Sequence, residues 1–385
     1  DYVSGADMRA GTGDDVEVYQ AYVEANEMWG APLRLRAGRQ ELQLGSQFLV
    51  GSRDFAFFFT GLSFDALRLT YATDNWSVDA FASKLAERFG DFGDDDIDFY
   101  GVYGSCTALE DTTFDLYWLL LRDDSPMPPA PFSDIDQTML HTIGFRAAGL
   151  IGAFDYDAEI AYQFGEADMI GSTFRNLLWM DDDADFGNVA LKLDAGYTFD
   201  VKHHPHLFMG FRYYGGEDNR DVTLLDMLNP FDRPEASISF NRLFSNQIAS
   251  GFMDLNNDLT NAWLVRAGVE GAITEKLLGR FCVNYYETLE AFDAPRHWNL
   301  GRVNLFLPGL SWWTQENEKD LGIETYLFME YHYTEDLIFE MGWTHLFPGD
   351  GLEDGSYIRW NGLAFNGGTD DDGADYAYLG CKLFF

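Results

Sequence analysis

The side chains with most chemistry to offer are cations and acids set among apolar neighbours at a spacing of two. Arg34 and Arg36, then Arg39, Glu41 and Gln43, open this pattern, and Arg68, Arg146, Lys192, Arg212, Arg266, Arg280 and Lys382 continue it. Acids hold comparable positions: Glu24, Asp65, Asp79, Asp115, Asp155, Asp157, Glu159, Asp194, Glu324, Glu330 and Glu340. Held together on one wet wall, such groups steer and pass charged solutes, because a low-dielectric wall focuses the field of its charges. A plainer role competes at each position, since opposite charges on neighbouring strands also pair to stabilise a sheet.

Bond-making chemistry finds little support. A nucleophile needs a positioned base, yet His141, His297, His332 and His345 are isolated in sequence. His203-His204-Pro205-His206 falls on a short link, with no carboxylate at a clear ligand spacing. Cys106, Cys282 and Cys381 lie far apart and show no metal or haem spacing. The chain therefore reads as a non-enzyme without a cofactor, calcium at acidic loops excepted. Asp181, Asp182 and Asp183 form one acid run, with others at Asp94-Asp95-Asp96 and Asp370-Asp371-Asp372, while Asp254 and Asp258 alternate as in a calcium loop. Hard cations take such oxygens. The last segment lacks the turn glycine and late glutamate of that motif, and solvation and mutual repulsion are the simpler use of acid runs in loops. A net charge of −39 excludes nucleic acid as a partner.

The elements that position these groups are strands. No stretch approaches the roughly 20 apolar residues a membrane helix needs, although 46% of residues are hydrophobic and 16% aromatic. Apolar and polar residues alternate along the whole chain instead. From Phe154 the odd set Asp155, Asp157, Glu159 and Gln163 opposes Phe154, Tyr156, Ala158, Ile160, Tyr162 and Phe164. A soluble sandwich would hide the apolar face behind a second sheet. A barrel shows it to lipid and encloses the polar face, with aromatics as interface girdles.

About fifteen strands are predicted, starting near Val16, Leu33, Gly61, Trp76, Ile97, Thr113, Met139, Ala153, Asn188, His206, Leu259, Leu277, Leu321, Leu337 and Asp375. Short links alternate with long ones, as periplasmic turns alternate with extracellular loops in outer-membrane barrels. The expectation is all-β: one transmembrane antiparallel up-and-down barrel over residues 1–385, in the bacterial outer membrane, against lipid bilayer and lipopolysaccharide. First and last strands both run toward the short-turn side, which makes the visible count odd. Single-chain bacterial barrels close on even numbers, so one or more N-terminal strands are expected before Asp1, or supplied from elsewhere, giving 16 to 18 in all. In 33–43 the inward set Arg34, Arg36, Arg39, Glu41 and Gln43 requires a one-residue slip at Ala37-Gly38, for which a β-bulge at the glycine is expected. Two loops, 216–257 and 289–320, exceed ordinary length; each either folds inward as a constriction or covers the rim.

Several stretches resemble the bacterial alginate export porin family: LRLRAGRQELQLG over 33–45, with GRQ at 38–40; GLSFDALRLTY over 61–71; and, near the end, 320–350 and YAYLGCKLFF. The resemblance implies an 18-stranded outer-membrane barrel passing an anionic polysaccharide, or small carboxylates and other solutes in wider relatives, with strands upstream of the present start. A polyuronate exporter should show an unpaired arginine ring, and Arg34, Arg36, Arg39 and Arg68 are the candidates. The leading reading is a passive channel for a solute or anionic polysaccharide. The alternative is a sheath or scaffold for a periplasmic or surface protein partner, such as a multihaem cytochrome or a surface-layer assembly.

Overall fold

The computed structural model describes residues 18–52, 61–86, 97–124, 138–166, 185–216, 237–247, 251, 253–254, 259–290, 294–295, 298–300, 303–305, 314–315, 318–353 and 373–383. Its main strands are β1 (Ala21–Ala25), β2 (Leu33–Gln40), β3 (Phe64–Ala72), β4 (Trp76–Ala86), β5 (Ile97–Leu109), β6 (Thr112–Asp123), β7 (Thr138–Ile151) and β8 (Phe154–Glu166). They continue as β9 (Val189–Thr198), β10 (His206–Tyr214), β11 (Ala262–Thr274), β12 (Leu277–Thr288), β13 (Asp320–His332), β14 (Leu337–Pro348) and β15 (Ala374–Leu383). Every consecutive pair is antiparallel, so the order in space is the order in sequence. A two-residue strand, Asp185–Phe186, adds a sixteenth antiparallel member beside the end of β8. The sheet is not closed among the described residues: β1 and β15 each pair with one neighbour.

Alternation assigns the two faces. On β8, Phe154, Ile160, Tyr162 and Phe164 are exposed, whereas Glu159 and Gln163 are buried. The apolar set recurs outward along the sheet as Leu67 and Leu69, Leu116 and Trp118, Ile143 and Phe145, Leu207 and Met209, and Phe339, Met341 and Trp343. Exposed apolar surface on this scale is tolerated when lipid covers it, and the sheet satisfies its backbone groups through its own ladders. Aromatics cluster toward strand ends, as in the Phe154–Tyr197 and Tyr71–Trp76 contacts at 4.7 and 5.1 Å. The Tyr and Trp rings, apolar with a polar tip, suit the membrane–water boundary.

The slip expected at Gly38 is absent. β2 runs in unbroken register against both β1 and β3, with Gly38 opposite Tyr22 and Ala66. The glycine serves close approach instead: its φ is +124°, and a Cβ there would lie 2.4 Å from the Ala21 carbonyl oxygen. Without the slip, parity puts Arg34 and Arg36 on the inner face and Arg39 on the outer face, where it makes a two-pronged 2.9 Å pair with Asp65. Asp65 is likewise an outer residue, half exposed between buried Phe64 and Ala66. Gln43 lies beyond the end of β2, hydrogen-bonded to Glu41 at 3.0 Å.

Candidate channel interior

Directly after β2 the chain turns onto the inner face. Leu42, Leu44, Phe48, Leu49 and Val50 are all buried there. A second inward stretch, 239–247, meets the first: Val50 and Phe244 form a parallel bridge, Phe244 N donates to Leu49 O (2.8 Å), and Gly51 N donates to Phe244 O (2.9 Å). Asn246 donates its side-chain amide to Gln47 Oε1 (2.8 Å), and Gln247 donates to the Ser46 carbonyl. The joined segments reach strands far apart in the sheet. Phe244 sits edge-on between Phe64 of β3 and Phe99 of β5, at 5.1 and 4.9 Å; Phe48 stacks on Tyr214 of β10 at 5.9 Å. On β13, Glu324 accepts from Gly251 N (2.9 Å), Met253 N (3.2 Å) and the Thr344 hydroxyl (2.6 Å) of β14. The two joined segments, with Gly251 and Met253 just after the second, together touch β3, β5, β10 and β13 only because the sheet curls around them. The interior of that curl is the lumen.

The inward fold has its own fixings. Gly45 has φ +51°, and a Cβ there would meet the Tyr103 hydroxyl at 2.0 Å, so no larger residue fits without displacement. Tyr103 stacks on Tyr117 (5.3 Å); Tyr117 donates to Glu159 at 2.9 Å, and Ser46 donates to the same carboxylate at 2.7 Å. Arg242 is buried against the buried Asp254 and lies 4.6 Å above the Tyr214 ring.

Other charged residues line the inner face in adjacent strands. Arg146 reaches Asp115 (2.8 Å) and both oxygens of Asp157 (2.8 and 3.1 Å). Lys192 pairs with Asp157 at 2.5 Å, Arg212 with Asp194 at 2.7 Å, and Arg280 with Glu270 at 2.5 Å. His206 stands between Asp155 and Glu270, at 2.8 and 3.1 Å. Arg36 pairs with Glu24 (2.7 Å), Arg68 with Asp79 (2.9 Å) and Lys382 with Glu340 (2.9 Å). Glu330 contacts His332 at 2.5 Å. Arg266 differs: among the described residues it makes no ion pair, its Nε is buried without a hydrogen-bond partner, and its guanidinium lies 5.1 Å from the Phe208 ring centre. Arg34 donates to the Thr70 hydroxyl at 3.5 Å and makes no ion pair among the described residues.

The expected unpaired ring of Arg34, Arg36, Arg39 and Arg68 is therefore not formed. Two members are neutralised by inner acids, and Arg39 faces outward. Asp254, a calcium candidate, is held by Arg242; Asp181, Asp182, Asp183 and Asp258 lie outside the described residues. Among the described residues, no three His, Cys, Asp or Glu side chains gather closely enough to hold a metal ion. Cys106 and Cys381 are exposed and Cys282 buried, all unpaired. Sequence reasoning missed the inward turn of 41–52, where large apolar residues stand at both parities and so mark no single face.

Comparison with known proteins agrees with this architecture. No curated protein matches the sequence significantly. The outer membrane protein OprD of Pseudomonas aeruginosa superposes with a TM-score of 0.51 at 11% identity, over 91% of this chain and 75% of its own. OpdP of the same organism gives 0.47 at 13% identity, over 92% and 74%. At 11% identity the likeness to OprD speaks of fold. The sequence model of the alginate export family matches residues 6–358, so nearly the whole chain is covered: this protein belongs to the alginate export family, as an outer-membrane β-barrel channel of bacteria.

Proposed function

We propose that this channel passes small anionic solutes by diffusion and does not export a polysaccharide. The observation that carries the reading is the inward fold, in which two tied segments with an apolar core bridge from β3–β5 to β13. A polymer needs a continuous bore; a small solute needs only a gap beside the constriction. Most wall cations are matched by acids, which favours selection by a few sites over a uniformly basic tube. The inner residues Arg34, Arg36, Arg68, Arg146, Lys192, Arg212, Arg266, Arg280, Glu324, Glu330 and Glu340 form the proposed lining. Within it Arg266, with Arg212 and Arg280 on the flanking strands, is the proposed contact for a carboxylate, because a guanidinium without a protein anion is free to take a solute one. The occupied interior also disfavours a sheath around a threaded cytochrome.

The test is electrical and osmotic. Purified protein in planar bilayers should conduct and favour anions, and Arg266→Gln should move the reversal potential toward cations. Proteoliposomes should swell in a monomeric sugar acid and not in its long oligomers. Silent bilayers would sink the channel reading, and equal swelling with both solutes would sink the small-solute reading.

A further inference from the structure

At the short-turn end of the lumen, four charged side chains are linked through one histidine. His206 opens β10 and turns both ring nitrogens toward acids: Nε2 lies 2.8 Å from Asp155 of β8, and Nδ1 lies 3.1 Å from Glu270 of β11. Glu270 also accepts from Arg280 of β12, at 2.6 Å. Asp155 and His206 stand two strands apart and meet across β9 only because Gly196 leaves the space open; a Cβ there would lie 2.0 Å from His206 Nε2 and 2.5 Å from Asp155 Oδ2. A neutral imidazole has one N–H and one lone pair, so it donates to one carboxylate and repels the other, whereas imidazolium donates to both. Two acids at these distances are the setting of a charged ring.

These groups lie on the way out from Arg266. On β10 and β11 the pairs Gly210–Arg266, Phe208–Gly268 and His206–Glu270 follow one another toward the short turns. With His206 charged, two cations balance two acids; with it neutral, Asp155 and Glu270 face Arg280 alone, and the exit carries one excess negative charge. Neighbouring groups do not restore the balance. On β8 Asp157 is held by Arg146 and Lys192, on β9 Asp194 is held by Arg212 and Thr198 opposite His206 is neutral, and the next inward residue of β10 is Phe208. The turn before β10 carries Asp200, Lys202, His203 and His204, all exposed. The four linked side chains are themselves between 21 and 44% exposed, so water brings the proton. From this geometry we infer that His206 is a selectivity-determining residue: its charge sets how well anions pass the periplasmic end of the channel. Histidine is the side chain that changes charge around neutral pH, and a unit charge about 7 Å from a passing ion changes that ion's local concentration about threefold in water. The inference rests on the channel reading and not on Arg266, since any ion that crosses passes this end.

The test uses the full chain in planar bilayers, with the anion-to-cation permeability ratio read from reversal potentials in a potassium chloride gradient between about pH 5.5 and 8.5, the range that spans histidine titration. The parent ratio should fall about threefold as pH rises. His206→Gln should hold the high-pH ratio throughout and His206→Arg the low-pH ratio, both without the slope; a histidine that only braced the wall would give no such opposite pair. His332→Gln removes the other lumen-side histidine described at this end, which contacts Glu330, and should leave the slope in place. Should the His206 variants fail to fold, Glu270→Gln removes the excess charge instead and at the upper pH should restore the parent's low-pH ratio. Arg266→Gln should lower the ratio by the same factor at every pH, which separates failure of the anion site from failure of this inference. A flat parent profile, an undiminished slope in His206→Gln, or loss of the slope in His332→Gln would overturn it, and silent bilayers would end it together with the channel reading.

Discussion

Phe244→Ala tests whether the inward fold narrows the channel. Phe244 is 2% exposed, with Phe64 and Phe99 edge-on to it at 5.1 and 4.9 Å. Truncating a buried Phe to Ala costs about 3–5 kcal/mol. None of that loss falls on the barrel ladders, because Phe244 pairs only with the other inward segment. It falls on the equilibrium between seated and released segments, which shifts by roughly a hundredfold to several thousandfold at 1.4 kcal/mol per tenfold. Single-channel recording should show higher mean conductance and more open-channel flicker, with Phe244→Leu between variant and parent. Thermal melting of the sheet signal should stay near that of the parent. Unchanged conductance in a folded Phe244→Ala barrel would refute the constriction, and a large drop in barrel melting would refute the separation of inward fold from wall.

Two further substitutions probe how that fold is held. Arg242→Met leaves Asp254 buried without its cation and should cost about 3–5 kcal/mol, whereas Arg242→Met with Asp254→Leu should recover most of the loss; denaturant titration of segment release, read by a fluorophore on Gln247→Cys after Cys106, Cys282 and Cys381 are replaced by Ala, measures both. Gly45→Ala drives a methyl against the Tyr103 hydroxyl and strains a positive φ, so conductance noise should rise, and Tyr103→Phe should relieve the part due to contact.

The wall was legible because lipid on one side and water on the other impose a strict period of two. β4, β5, β12 and β14 begin at Trp76, Ile97, Leu277 and Leu337, where the alternation and the short links place them. The same rule misled in 33–43. Setting every charged residue inward requires a bulge to keep Arg39 there; the ladder shows instead that a charge at a strand end can face outward. Leu42, Leu44, Leu49 and Val50 carried no period that separates a strand from an inward loop, since a greasy side chain in a lumen is stable only when another segment covers it. That cover comes from residues about 200 positions later, as in the contacts of Gln47 with Asn246 and Ser46 with Gln247.

Parity within a strand and register between strands thus carry different information. Parity is local and could be read for Arg68, Arg146, Lys192 and Arg212 from their immediate neighbours. Register depends on where each hairpin turns, and an error of one residue reverses a face. Arg39, Asp65, Lys84, Asp98 and Arg122 span 84 positions as scattered charges in the sequence; four successive hairpins in correct register bring them into one line. Pore selectivity depends on the same summation, because Arg266 differs from Arg212 only through what its neighbouring strands set beside it. Asp194 stands next to Arg212 on β9, while the partners of Arg266 across the ladder are Gly210 and Asn284. Among the described residues a glycine and an amide stand beside that guanidinium and no acid pairs with it, so the proposed anion site is defined by residues that carry no charge themselves.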